Sequence, residues 1–81
     1  MIKNWFVYIL RCSDGTFYTG ITNYLERRLK EHNKSNTVGS KYARARRPVI
    51  LVYHQQIGTR SEALRKEHEI KRLSRTLKHT L

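Results

Sequence analysis

Tyr8, Tyr18, Arg28 and His32 are the side chains of this 81-residue chain whose types and spacing first point to chemistry. A phenol or an imidazole can take a proton from water, and a guanidinium can hold a phosphate through paired, charge-assisted hydrogen bonds. Such groups act together only if they meet. The elements that carry them must therefore fold toward one point.

Tyr8 lies in Trp5-Phe6-Val7-Tyr8-Ile9-Leu10, a short aromatic and β-branched run with apolar residues at both parities. That pattern predicts a central strand over residues 4–11, covered on both faces. Ser13-Asp14-Gly15 has turn chemistry, and residues 16–21 are expected to run back as a second strand carrying Tyr18. Register then decides whether the tyrosines share a site. If Arg11 pairs with Phe17, Leu10 lies opposite Tyr18 and Tyr8 opposite Gly20, which puts both tyrosines on one face. A two-residue Asp14-Gly15 turn would put them on opposite faces, so a shared site requires the longer loop.

Asn23 stands where an N-cap is needed for a helix over residues 24–33, and Glu26 completes a box-like pattern. Leu25 and Leu29 form its core stripe. At about 100° per residue, Arg28 and His32 fall one above the other at the border of that stripe, whereas Arg27 projects from the far side. Each has a structural alternative. Arg28 could cover the core with its stem, and His32 could serve as a dipole partner in the last helical turn.

The segment Gly39-Ser40-Lys41-Tyr42-Ala43-Arg44-Ala45-Arg46-Arg47 interleaves basic groups with small residues that let a backbone approach phosphates. Few acidic residues lie nearby to neutralise it, which favours a nucleic-acid contact through Lys41, Arg44, Arg46 and Arg47 over a merely solvated charge run. Tyr42 could stack on a base or anchor the segment in the core. After Pro48, Val49-Ile50-Leu51-Val52-Tyr53 reads as a third strand.

Thr59-x-x-Glu62 is a capping-box pattern opening a last helix, on which Ala63, Leu64, Ile70 and Ser74 form one stripe. Glu67 falls inside that stripe and should point at the sheet, where an unpaired charge is costly. It needs a partner. A salt bridge to Arg28 or Lys71 would satisfy it, and so would a bound divalent cation. Glu69 lies on the other side of the helix, as an ordinary surface charge.

Composition sets the frame for these residues. Seventeen Lys and Arg against 6 Asp and Glu give a formal net charge of +11, and the pI is near 10.4. One small domain spanning residues 1–81, with a single modest core and a field that attracts polyanions, is the expectation. Cys12 is the only cysteine, which excludes an internal disulfide and a multi-cysteine zinc site and fits a reducing cytoplasm. The apolar run from Trp5 to Leu10 is far short of the roughly 20 residues a membrane-spanning helix needs, so a soluble chain with no membrane partner is expected. No repeat, low-complexity tract or linker divides it.

Phe6-Val7-Tyr8, Tyr18-Thr19-Gly20-Ile21-Thr22, Arg27-Arg28-Leu29-Lys30-Glu31-His32-Asn33 and Ala63-Leu64-Arg65-Lys66-Glu67, in that order, resemble the motifs of the GIY-YIG endonuclease superfamily. The likeness covers nearly the whole chain and is greatest to the small stand-alone bacterial branch, a relative of the catalytic subunit that cuts branched DNA in eukaryotes. The resemblance implies an α+β fold, with a three-stranded antiparallel sheet flanked by helices, that hydrolyses DNA phosphodiesters with one Mg²⁺ or Mn²⁺. It implies Tyr8, Tyr18, Arg28, His32 and Glu67 as catalytic residues, with Glu67 as the metal ligand. Phe6 stands where many members have Gly, Ala43 stands where the related branch usually has a hydroxyl residue, and no Asn follows Asn36.

The function expected from all of this is a metal-dependent DNA endonuclease selecting branched, flapped or single-stranded DNA through backbone contacts. Base readout needs an element in a groove, and none is spare. Two rival readings share the fold. One is a catalytically idle module binding DNA or RNA through charge, and the other a catalytic subunit that needs a protein partner.

Overall fold

The computed structural model describes residues 5–34 and 40–73. In chain order these form β1 (Trp5–Arg11), β2 (Phe17–Thr22), α1 (Leu25–Lys34), α2 (Lys41–Arg44), β3 (Ile50–Gly58) and α3 (Arg60–Leu73). The strands make one antiparallel sheet in the order β2-β1-β3. This is the three-stranded sheet with flanking helices that the sequence motifs imply.

β1 is central because it is the strand that can be buried on both sides. Val7, Tyr8, Ile9 and Leu10 are all at most 1% exposed, as expected of consecutive apolar residues with a layer on each face. Tyr8 and Leu10 point into a cluster with Cys12, Ala43 and Val49, against which Tyr18, Leu25, Leu29 and Leu51 pack. That face is covered by α1 and α2. Val7 and Ile9 point the other way, toward α3, which crosses the three strands and buries Ala63 completely.

The hairpin adopts the longer loop. Arg11 pairs with Phe17, Leu10 with Tyr18 and Tyr8 with Gly20, so Tyr8 and Tyr18 share the face under α1. The loop is closed by Cys12 N–H donating to Thr16 O at 2.8 Å and Gly15 N–H to Cys12 O at 3.0 Å, with Gly15 at φ +83°. That left-handed backbone is why glycine stands there. Asp14 accepts from Thr16 N–H and Oγ1, the local side-chain turn that Asp chemistry suggests.

Three features differ from the pattern expected of the sequence. Asn23 does not cap α1: the first helical bond, Arg28 N–H to Tyr24 O at 3.1 Å, makes Tyr24 the N-cap, and the Thr22 hydroxyl accepts from Tyr24 N–H. β3 continues past Tyr53 to Gly58, because pairing with β1 extends to Trp5↔Gly58 and carries the polar His54-Gln55-Gln56 along. The basic segment also contains a short helix, α2, capped by Ser40, whose side chain accepts from Tyr42 N–H and Ala43 N–H. The Thr59/Glu62 capping box forms as expected, with Glu62 N–H donating to Thr59 Oγ1 at 3.2 Å and Thr59 N–H to Glu62 Oε1 at 3.4 Å. Asn4 and Ser74 lie outside the described residues, within which no helix is long and apolar enough to cross a membrane.

Candidate active site

The strands put Tyr8 at the centre of the sheet with its phenol reaching across Gly20, and α1 supplies what it meets there. Leu25, Leu29 and His32 recur at helical spacing on the face of α1 that packs inward. His32 is therefore not at a frayed end but fully buried. Its Nε2 lies 2.8 Å from Tyr8 Oη. Tyr8 and His32 are among the largest fully buried side chains of the protein, so the site is part of the core rather than a cleft cut into it. Two buried polar groups of this kind are tolerated because they satisfy each other.

Arg28, one turn before His32, lies close enough to act on the Tyr8 phenol and pairs with Glu31, Nη1 to Oε1 at 3.2 Å. Burial works against the Arg28 charge, but the bonds to Glu31 and Tyr8 outweigh it and hold the guanidinium firmly protonated. Arg27 turns outward as its helical angle requires, its guanidinium 5.2 Å from the Tyr24 ring centre. Tyr18 completes an aromatic group, with ring centres 6.3 Å from Tyr8 and 5.3 Å, edge-on, from His32.

Burial raises the Tyr8 phenol well above its usual pKa, with the charges of Tyr18 and Glu67 adding to the rise and Arg28 opposing it. Burial and the neighbouring Arg28 charge pull the His32 imidazole down to about 4. At neutral pH the pair is thus an uncharged phenol beside an uncharged imidazole. Of the two groups, Tyr8 has the local donors that would favour its anion, since hydrogen bonds to the charged form lower a pKa.

Glu67 arrives from α3, close enough for its charge to act on Tyr8. Its side chain is 15% exposed and pairs with Lys71 Nζ at 3.4 Å. Of the two ion-pair partners expected for it, Lys71 is the one found; Arg28 is engaged by Glu31 instead. Among the described residues no three His, Cys, Asp or Glu side chains cluster as a ready metal cage. A half-buried lone carboxylate suits a hard ion such as Mg²⁺ or Mn²⁺, which commonly takes one or two carboxylates and completes its shell with waters and substrate phosphate oxygens. It does not suit zinc.

The basic segment divides into exposed and engaged groups. Lys41 is exposed, Tyr42 is 37% exposed and Arg44 half-buried. Arg46 works as a fastener: Nε meets Asp14 Oδ2 at 3.0 Å, Nη1 donates to Tyr42 O at 3.1 Å, and the guanidinium covers the Tyr42 ring at 3.7 Å. Tyr42 in turn stacks on Tyr18, with centres 6.3 Å apart. Arg47 caps the end of α1, donating from Nε to His32 O at 2.6 Å and from Nη2 to Glu31 O at 3.3 Å. Sequence reasoning favoured nucleic acid for the four basic groups and left Tyr42 open between stacking on a base and anchoring the segment, since an internal fastener and a phosphate contact look alike in a charge run.

Three supporting residues had weak signals in the sequence. Asn33 exchanges hydrogen bonds with the Val49 backbone, Nδ2 to Val49 O at 3.0 Å and Val49 N–H to Oδ1 at 2.8 Å, tying α1 to the entrance of β3. Ser40 N–H donates to His32 Nδ1 at 3.2 Å. Gly20, opposite Tyr8 in the register, leaves room for the phenol. Of the three, Gly20 alone was accessible beforehand, through the pairing that puts it under Tyr8.

The chain resembles known proteins over most of its length. A family model described as the GIY-YIG catalytic domain matches residues 4–80. A UPF0213 protein of Desulfotalea psychrophila is 56% identical over 77 residues, covering 95% of this chain and 69% of that protein. One from Halobacterium salinarum is 48% identical over 75 residues, covering 93% of this chain and 95% of the relative. Among solved structures, the solution NMR structure of a UPF0213 protein from Bacillus halodurans is 44% identical and covers 95% of this chain and 80% of its own, with a TM-score of 0.58. That of an E. faecalis protein is 41% identical and covers 99% and 85%, with a TM-score of 0.63.

Proposed function

This chain belongs to the GIY-YIG family, and from that premise we propose that it is a divalent-metal-dependent DNA endonuclease selecting branched, flapped or single-stranded DNA. The observation that carries the reading is the convergence on one buried phenol. Tyr8 Oη shares a hydrogen bond with His32 of α1 on one side and feels the charge of Glu67 from α3 on the other. A purely charge-binding module has no use for a buried Tyr–His pair beside a half-buried Arg, an arrangement that is costly to desolvate.

Hydrolysis requires an attacking water, neutralisation of the phosphate, and stabilisation of the departing oxygen. Arg28 holds a non-bridging phosphate oxygen. Tyr8 orients the water and, once its own proton has passed to solvent, takes the water's proton as the new phosphorus–oxygen bond forms and the ester bond breaks, the departing oxygen taking a proton from solvent. The Arg28 charge and a hydrogen bond from His32 favour the ionised form, and burial opposes it. Tyr18 and His32 keep that phenol and the phosphate aligned. Glu67 would hold Mg²⁺ or Mn²⁺, which would supply positive charge for the leaving oxygen and offset the carboxylate charge that raises Tyr8.

The net charge of +11 supports a nucleic-acid substrate, bound through its backbone at Lys41, Tyr42, Arg44 and the outward parts of Arg46 and Arg47. α1 and α3 are committed to the sheet, which favours recognition of DNA shape over sequence. Burial raises the pKa of the Cys12 thiol, which suits a structural role in a reducing cytoplasm. The test is direct. The protein and Glu67→Ala are incubated with branched, duplex and single-stranded DNA and RNA, with Mg²⁺ or Mn²⁺. Cleavage by the protein and its loss in the variant are expected. Equal or absent cleavage by both, with salt-sensitive binding retained, would establish the binding module instead, and activity appearing only with an added protein fraction would establish a partner-dependent subunit.

A further inference from the structure

We propose that Ser40 is a positioning residue whose backbone N–H fixes His32 as the neutral Nε2–H tautomer, making His32 a hydrogen-bond donor to Tyr8 and not the base that takes its proton. A backbone amide can only donate. Ser40 N–H points at His32 Nδ1 at 3.2 Å, so Nδ1 must present its lone pair. A neutral imidazole carries one ring proton, which then resides on Nε2, and Nε2 is the atom 2.8 Å from Tyr8 Oη. The partner on one ring nitrogen thereby sets the role of the other. The doubly protonated form is disfavoured by complete burial and by the flanking charges of Arg28 and Arg47, which Glu31 offsets in part.

The consequence for the site, which rests on the endonuclease reading, concerns the direction of the Tyr8 proton. With that tautomer Nε2–H donates to the phenol oxygen, and the Arg28 guanidinium acts on it from one turn earlier in α1. The phenol's own O–H is therefore turned away from Nε2. When that proton leaves, the Nε2–H donor and the Arg28 charge already favour the anion. A His32 acting as base on Tyr8 would require the opposite tautomer and would break the bond from Ser40.

Ser40 performs this task with its backbone while its side chain caps α2 by accepting from Tyr42 N–H and Ala43 N–H. The two functions are separable by mutation. Its φ of −70° is one that proline adopts. Ser40→Ala deletes the cap and keeps the N–H, whereas Ser40→Pro deletes both.

The test is the ¹⁵N spectrum of the His32 ring, recorded at neutral pH by long-range ¹H–¹⁵N correlation on the wild type and both variants. Wild type and Ser40→Ala should show an unprotonated Nδ1 and a protonated Nε2, and Ser40→Pro should show averaging between tautomers. Cleavage by Ser40→Pro should fall roughly 10- to 100-fold below that of Ser40→Ala, the usual cost of losing an outer hydrogen-bond partner of a functional imidazole. The wild-type spectrum decides the tautomer even if Ser40→Pro fails to fold: a protonated Nδ1 there overturns the proposal. A wild-type signature retained in Ser40→Pro overturns the role of Ser40. The expected spectra with no cleavage by any form would uphold the tautomer and reject the endonuclease reading.

Discussion

The Tyr8 phenol lies directly over Gly20: a Cβ built at Gly20 would sit 2.6 Å from Tyr8 Oη and 2.7 Å from its Cζ. Gly20 is therefore required by proximity and not by backbone conformation. Gly20→Ala must push the phenol off His32 and Arg28 or bend β2 at its pairing with β1. A loss of about 1–3 kcal/mol, the usual cost of overpacking a core, is expected in urea unfolding. Cleavage should fall further than stability explains, because the displaced group is Tyr8 itself. Near-normal cleavage by a folded Gly20→Ala protein would remove Tyr8 from the reaction.

Much of this site could be read before the structure, for identifiable reasons. Period-two alternation tied a shared face for Tyr8 and Tyr18 to the longer of two loops, the one the structure adopts, and helical spacing put Arg28 and His32 on one border. Glu67 at an inward angle of α3 followed from the same geometry. The misjudged features depend on who partners whom. Thr22 and Tyr24 took the α1 start from Asn23 because the β2 exit sets the chain direction there. The internal contacts of Arg46 and Arg47, which do not test their nucleic-acid role, went unread because Asp14 and the α1 carbonyls come within reach only in the folded chain. The amide of Ser40 carries no side-chain signature at all.

Thr19 is 2% exposed, and its hydroxyl has no hydrogen-bond partner among the described residues. A buried hydroxyl left unpaired is a cost that its nearly isosteric hydrocarbon lacks. Thr19→Val should therefore stabilise the protein by about 1 kcal/mol. The urea midpoint should rise with no change in slope. A lower midpoint would mean that the hydroxyl has a partner in solution.

His32 makes stability depend on acid in a defined window. In the folded protein its pKa is pulled to about 4, against 6.5 for the free side chain. Between these values the unfolded chain binds the proton and the folded one does not, so stability rises with pH across the window and is lost as pH falls from 6.5 toward 4. The full contribution is on the order of 3 kcal/mol. His32→Gln removes the titration. The wild type should lose more stability than this variant between neutral pH and pH 4, as read by unfolding free energies at each pH. Parallel curves would show that His32 titrates normally.

Lys71 and Glu67 form the contact that a divalent ion would have to replace. The pair spans one turn of α3 at 3.4 Å with the Lys71 side chain 53% exposed, and exposed pairs of this kind contribute about 0–1 kcal/mol. Such a contact yields readily to a doubly charged ion with phosphate oxygens beside it. Lys71→Ala should accordingly change the unfolding free energy by less than about 1 kcal/mol while lowering the Mg²⁺ concentration for half-maximal cleavage. Glu67→Gln, with the same shape and no charge, should instead abolish cleavage at every Mg²⁺ concentration. If Glu67→Gln cleaves normally, or if the Mg²⁺ dependence of Lys71→Ala is unchanged, the ion does not bind at Glu67.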